Sequence, residues 1–170
     1  MAQKGKKILE MPKKMMDKTI EVGGKDIKLN FGLQFACDLD NYMELEAAQA
    51  GIDNVVAIAT SLITRKFSVL VDLMSFALKG TDATNEDLEV YLSEQASTDD
   101  GLEPLYNLFF MNLLANPFMK SKINQNMTII NQVMEMNELQ KEAQEEQMSQ
   151  LLKELNKEMD QAKAMIAEKE

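Results

Sequence analysis

Few residues in this 170-residue chain have the type and spacing that chemistry needs. Cys37 sits in Phe35-Ala36-Cys37-Asp38-Leu39, an apolar helical context that predicts a small buried hydrophobe rather than a reactive thiol. Asp38 and Asp40 stand two positions apart on a predicted helix, so they point to different faces and make a poor general acid/base pair. Asp99, Asp100 and Glu103 carry the oxygen ligands a hard cation prefers. A helix starting after them uses the same carboxylates as N-cap and dipole partners, which is the simpler role. Histidine is absent, and with it the commonest general base and the commonest metal ligand. A single cysteine excludes a disulfide framework and a Cys-based zinc site. The sequence therefore predicts no catalytic residue, no metal site, no cofactor and no enzyme.

The elements that would carry these residues are readable in order. Thr19-Ile20-Glu21-Val22 and Lys25-Asp26-Ile27-Lys28-Leu29 alternate apolar and polar around Gly23-Gly24, a pair suited to a two-residue turn at positive φ. That placement also removes the only glycine pair as a phosphate cradle. Ile20, Val22, Ile27 and Leu29 then share one face, which must pack on other elements because an isolated hairpin is marginal in water. From Leu33 the period becomes 3.6. Phe35, Leu39, Tyr42 and Met43 mark one helix, with Gly51 near its exit, and Val55 to Ile63 mark a second. Val69 to Leu78 mark a third, with Gly80 as a C′ residue. Thr84-Asn85-Glu86-Asp87 resembles a capping box before Leu88, Tyr91 and Leu92. Leu102 to Leu114 form the most apolar helix, closed by Asn116-Pro117. The expected fold is mainly α (α+β): an N-terminal β-hairpin packed on a bundle of about five helices, followed by a long C-terminal helix or partly disordered helical tail.

Charge and composition divide the chain into three segments. Residues 1–18 hold six lysines and read as a disordered Lys-rich extension; residues 19–118 form the globular domain; residues 119–170 form a Met/Glu-rich helical tail. The formal net charge of −10 would repel phosphate backbones, so nucleic acid is not expected as a ligand. No apolar run reaches the length of a membrane span and the start lacks a signal-like apolar region, so the expectation is a cytoplasmic protein with no membrane partner.

The tail carries the main clue. All ten aromatic residues fall between Phe31 and Phe118, and no glycine or proline follows Pro117. Half of the fourteen methionines lie in that breaker-free stretch, among them Met119, Met136, Met159 and Met165. If wholly helical it would reach about 70 Å, longer than a body of this size can cover. In one heptad frame the seam runs Ile123, Met127, Ile130, Met134, Asn137, Lys141, Gln144, Met148, Leu151, Leu155, Glu158, Ala162, Met165. Three consecutive polar seam positions argue against a continuous coiled coil and leave two apolar patches, 123–134 and 148–166. Either the first patch folds back to finish the core and the rest is a solvated helix, or these Met-rich faces grip apolar segments of other chains. Methionine is flexible and polarisable, so such a face repacks around varied partners. The partner-binding candidates are Met127, Ile130, Met134, Met148, Leu151 and Leu155.

Ile20 through Phe31 followed at once by a helix, then Phe76-Ala77-Leu78-Lys79-Gly80 and Thr84 through Tyr91-Leu92, resembles the tail assembly chaperones of long-tailed phages infecting Gram-positive bacteria. The resemblance covers about residues 19–123. It implies a non-catalytic viral late protein that coats the tape measure protein, helps recruit tail tube subunits and leaves before the virion matures. Self-association or multiple copies along the client would fit that role. A structural or adaptor protein kept in the virion and oligomerised through its C-terminal helix is the alternative.

Overall fold

The computed structural model describes residues 14–42 and 48–167. Strands β1 (Thr19–Val22) and β2 (Lys25–Lys28) pair antiparallel, Ile20 opposite Ile27 and Val22 opposite Lys25. Gly23 and Gly24 make the turn at φ +58° and +77°, which side-chain-bearing residues rarely adopt. Ile20, Val22, Ile27 and Leu29 are buried as one face, with β1 packed on α4 (Asn85–Ala96). The Leu29 N–H donates to the Lys18 carbonyl at 2.9 Å, and the Asn30 N–H donates to Ala77 at 2.8 Å. The hairpin is thus closed at its open end and docked by its exit.

Among the described residues, five helices complete the body. These are α1 (Leu33–Asn41), α2 (Asn54–Ile63), α3 (Phe67–Ala77), α4 and α5 (Glu103–Ala115). Helix α2 is apolar on nearly every side: Val55, Val56, Ala57, Ile58, Ala59, Leu62 and Ile63 are all buried. It packs against α1, α3 and α5, while α3 packs in addition on α4. Phe31, Phe35 and Phe109 form an edge-on cluster with centroids 5.2 and 5.6 Å from Phe31, joining the hairpin exit to α1 and α5. Thr84 and Asp87 make the capping box at the start of α4 through both reciprocal hydrogen bonds, 2.8 and 3.1 Å.

Several expectations are corrected. Cys37 is exposed, because α1 buries Phe35, Ala36 and Leu39 and residue 37 lies on the opposite side of that face. Asp99 and Asp100 do not cap α5: its N-cap is Leu102 without a side-chain hydrogen bond, and only the backbone of Asp100 is engaged, by the Glu103 N–H at 3.2 Å. Gly80 follows one residue later than the C′ position, since α3 caps at Leu78. Met43, expected in the first helix, and residues 1–13 of the N-terminal extension lie outside the described residues. Within 14–18 the backbone of Met16 is held both ways by the fully buried Asn112, its N–H donating to Oδ1 at 2.7 Å and its carbonyl accepting from Nδ2 at 3.0 Å.

The chain divides into two units, Met1–Val133 and Met134–Glu170, so the body takes in more of the tail than the expected boundary at residue 118. One helix, α6 (Lys120–Ala167), runs through both. Its beginning belongs to the body: Met119, Ile123 and Ile130 are buried. Lys122 Nζ donates to Asp40 and, at 3.5 Å, to Asn54, whose own amide donates to the carbonyls of Leu39 and Asp40, each at 2.8 Å. That hydrogen bond to Asp40 pushes the Lys122 ammonium above its usual range. Helices α1, α2 and α6 therefore meet at one polar knot.

The join of α2 to α3 turns through 114° on Arg65, which is left-handed at φ 62°. The Lys66 N–H reaches Ser61 at 2.8 Å and the Arg65 N–H reaches Leu62 at 3.3 Å, a Schellman closure in which glycine is usual. The Arg65 guanidinium holds the conformation, with both arms on Glu103, a bond to the Leu62 carbonyl at 2.6 Å and its carbon 5.4 Å from the Tyr106 ring centre. Arg65→Ala keeps the left-handed strain and loses these contacts, costing about 1–2 kcal/mol for a partly exposed pair. Arg65→Gly removes the strain and costs about 1 kcal/mol less than the alanine variant, a ranking that urea unfolding measures.

The Asp87 carboxylate is held below its usual range, first by the Thr84 backbone N–H and then by the Thr84 hydroxyl. Since the folded value is the lower one, the box adds stability above the ordinary aspartate range and loses it as pH falls through the folded value. Between about pH 5 and pH 3, Asp87→Asn should lose less stability than the parent protein in urea titrations.

Candidate functional site

Three of the residues singled out for chemistry, Asp38, Asp40 and Glu103, are engaged in structure. Asp38 accepts from Lys79 Nζ at 2.7 Å and from Gln34 at 3.3 Å, while Asp40 accepts from Lys122, so the two carboxylates have separate partners. Glu103 is taken by Arg65. Tyr42 donates to Asp72 at 2.9 Å, and burial followed by that bond pushes its phenol up to about 12. Among the described residues no group of three or more His, Cys, Asp or Glu side chains is placed to hold a metal ion. No single helix among them is long and apolar enough to cross a membrane. The α2 and α3 pair is apolar enough together, but it is sharply bent and its apolar side chains fill the core.

The six candidate contact residues separate by burial. Ile130 is completely buried and belongs to the core of the first unit, so it is not available as a contact surface in this fold. Met127 and Met134 are half-buried. Met148, Leu151 and Leu155 are 58%, 60% and 56% exposed, far more than large apolar side chains usually show. They lie in a stretch where every residue from Glu138 to Gln161 is exposed. Such a segment gains no packing energy within its own unit. Its helix rests on the propensity of Leu, Met, Glu, Gln and Lys and on pairs such as Glu154 and Lys157 three positions apart.

Leu152 and Met159, 54% and 48% exposed, complete the stripe. The heptad frame built on Leu151 passes over Leu152, and period alone cannot tell a buried seam from an exposed one; only the burial separates Ile130 from Leu155. The body has a second apolar feature that the sequence pattern did not single out. A groove of about 600 Å³ between α3 and α4 is lined by Phe67, Val71, Leu88 and Leu92, and Phe67 is half exposed at its edge.

A mainly helical body with an N-terminal hairpin, continued by a long helix whose apolar side chains are exposed, is the class of fold this chain defines. The chain belongs to the family described as phage tail assembly chaperone protein, TAC, whose model matches residues 19–127, the hairpin, the five body helices and the buried opening of α6. Members of this family are generally not enzymes. No curated protein and no solved structure matches the chain.

The division by burial has a direct check. Ile130→Ala should cost about 2–5 kcal/mol, the price of a buried aliphatic truncation, and lower the thermal midpoint by at least about 5 °C. Leu151→Asp combined with Leu155→Asp should move the midpoint of the body by no more than about 2 °C, because exposed substitutions stay near ±0.5 kcal/mol. Differential scanning calorimetry distinguishes the two.

Proposed function

We propose that this chaperone binds the tape measure protein, coats it in several copies and helps recruit tail tube subunits around it. It acts in the host cytoplasm and leaves before the virion is complete. The observation that carries this reading is the exposed stripe of Met148, Leu151 and Leu155 on a helix whose neighbouring residues are all solvated. A long apolar helical client cannot stay soluble alone, and it offers repeated apolar faces rather than one shaped epitope. Methionine and leucine at helical spacing meet such faces by helix-to-helix packing, and methionine adapts where the facing side chain changes. Glu138, Glu142, Glu145 and Glu146 keep the stretch before the stripe solvated until the client arrives. Repetition supplies the strength: a weak grip by each copy becomes firm when many copies share one client. Release then needs only that the individual grips be weak.

Met127 and Met134 would add a shallower contact next to the body, whereas Ile130 serves the fold. Co-expression of the full chain with the long helical protein it would serve, followed by size-exclusion chromatography with light scattering, tests the reading. The expected product is a soluble complex with several copies of this chain per client, lost with the paired Leu151→Asp and Leu155→Asp substitutions. A client that stays insoluble, or a complex indifferent to those substitutions, overturns it. Stoichiometric recovery of the chain from purified virions would instead mark it as a retained structural protein.

A further inference from the structure

Met148, Leu152, Leu155 and Met159 follow one another at intervals of four, three and four, so they form an uninterrupted apolar line along α6. This line differs from the frame through Leu151, which meets Glu158. All four side chains are about half exposed, and all four lie beyond the residues shared with the family. Their spacing places Met148 and Leu155 at d positions and Leu152 and Met159 at a positions. Ser149, Asn156 and Lys163 then occupy e, and Leu151 and Glu158 occupy g.

We infer that the occupant of this line in the free protein is the same line of a second copy, running parallel and in register. Charge complementarity decides the partner, and charge together with the seam decides the direction. In a parallel pair a g residue faces the e residue five positions further along the other chain. Glu158 therefore faces Lys163 of the second copy, and the twofold axis repeats the contact on the other side. An antiparallel pair matches g with g and e with e. Centring it between Leu155 and Met159 sets Glu158 against Glu158. Centring it between Leu152 and Leu155 faces Glu142 with Lys163, but only by carrying the seam through Glu145 at an a position, a charge the parallel contact does not place there. Ser149 and Asn156 bound the line on the e side, so it is narrow there, while Leu151 widens it on the g side.

The line is short, about 16 Å from Met148 to Met159. Self-sustaining coiled coils keep their pattern for at least about three heptads, so the pair is reversible and depends on concentration. The pairing covers the Met and Leu side chains when no other helix is present, and it gives way to one that offers a longer apolar face. It rests on the exposed stripe and the charges beside it, not on the identity of the client, so it is tested on the chain alone.

Sedimentation velocity of the full chain over a wide concentration range is the experiment. The expected result is a monomer–dimer equilibrium, abolished by Leu155→Asp. Glu158→Lys or Lys163→Glu alone should each raise the dissociation constant roughly three- to tenfold, and the two together should restore it, with helix content by circular dichroism unchanged throughout. A chain that stays monomeric at every concentration overturns the inference. So does a dimer that survives Leu155→Asp, which would place association elsewhere, or a double charge reversal that fails to restore pairing, which would remove the parallel register.

Discussion

Helix α2 has no polar face to give to water, and the body is arranged around that constraint. A ten-residue helix with Val55, Ile58, Ala59 and Leu62 all but inaccessible must be enclosed on every side. Helices α1, α3 and α5 supply the enclosure, and α3 reaches its place only because Arg65 accepts a left-handed backbone at the join. The hairpin packs on α4, which itself rests on α3. Charged groups appear where this packing ends: Arg65 with Glu103, Lys79 with Asp38 and Lys122 with Asp40 each tie neighbouring elements at the surface. Their worth lies in fixing geometry, since exposed pairs of this kind add little stability each.

The opening of α6 obeys the same constraint and the rest of it does not. Ile123 and Ile130 near its start complete a core; from Glu138 to Gln161 every residue is exposed. A protein that keeps Met148, Leu151, Leu152 and Leu155 half in water gives up roughly 1 kcal/mol or more for each side chain left unburied. That sacrifice fits the proposed role, in which the stripe lends apolar surface to other chains. The family assignment covers the body, whereas the physics of the exposed helix is particular to the residues that follow it.

Much of the fold was legible in the sequence, and the parts that were not share a cause. The Gly23-Gly24 turn, the alternation of Ile20, Val22, Ile27 and Leu29, and the Thr84–Asp87 box are local signals, complete within a few residues, and the structure repeats them. Cys37, Asp99 and Asp100 were misjudged because each depended on which way a helix faces or where its first turn begins, and neighbours in space decide that. Arg65 gave no signal, since an arginine in a glycine position is held by Glu103 and Tyr106, about forty residues away in sequence. Asn112 reaching back to Met16 is equally non-local. In the tail, heptad spacing identified the apolar positions, but a period says only that residues share a face. Whether that face meets a core, as at Ile130, or water, as at Leu155, is a property of the fold.

We propose residues 148–159 as a binding surface, whereas Met119, Ile123 and Ile130 belong to the core. Hydrogen–deuterium exchange on the full chain at low concentration, with and without the tape measure protein, reads both at once. Amides of α2 and of the beginning of α6 should be protected in the free chain and change little. Amides around Met148 to Met159 should exchange quickly when free and become slow when the client is added. Protection gained only on the body, with residues 148–159 still exchanging as in the free chain, would contradict it.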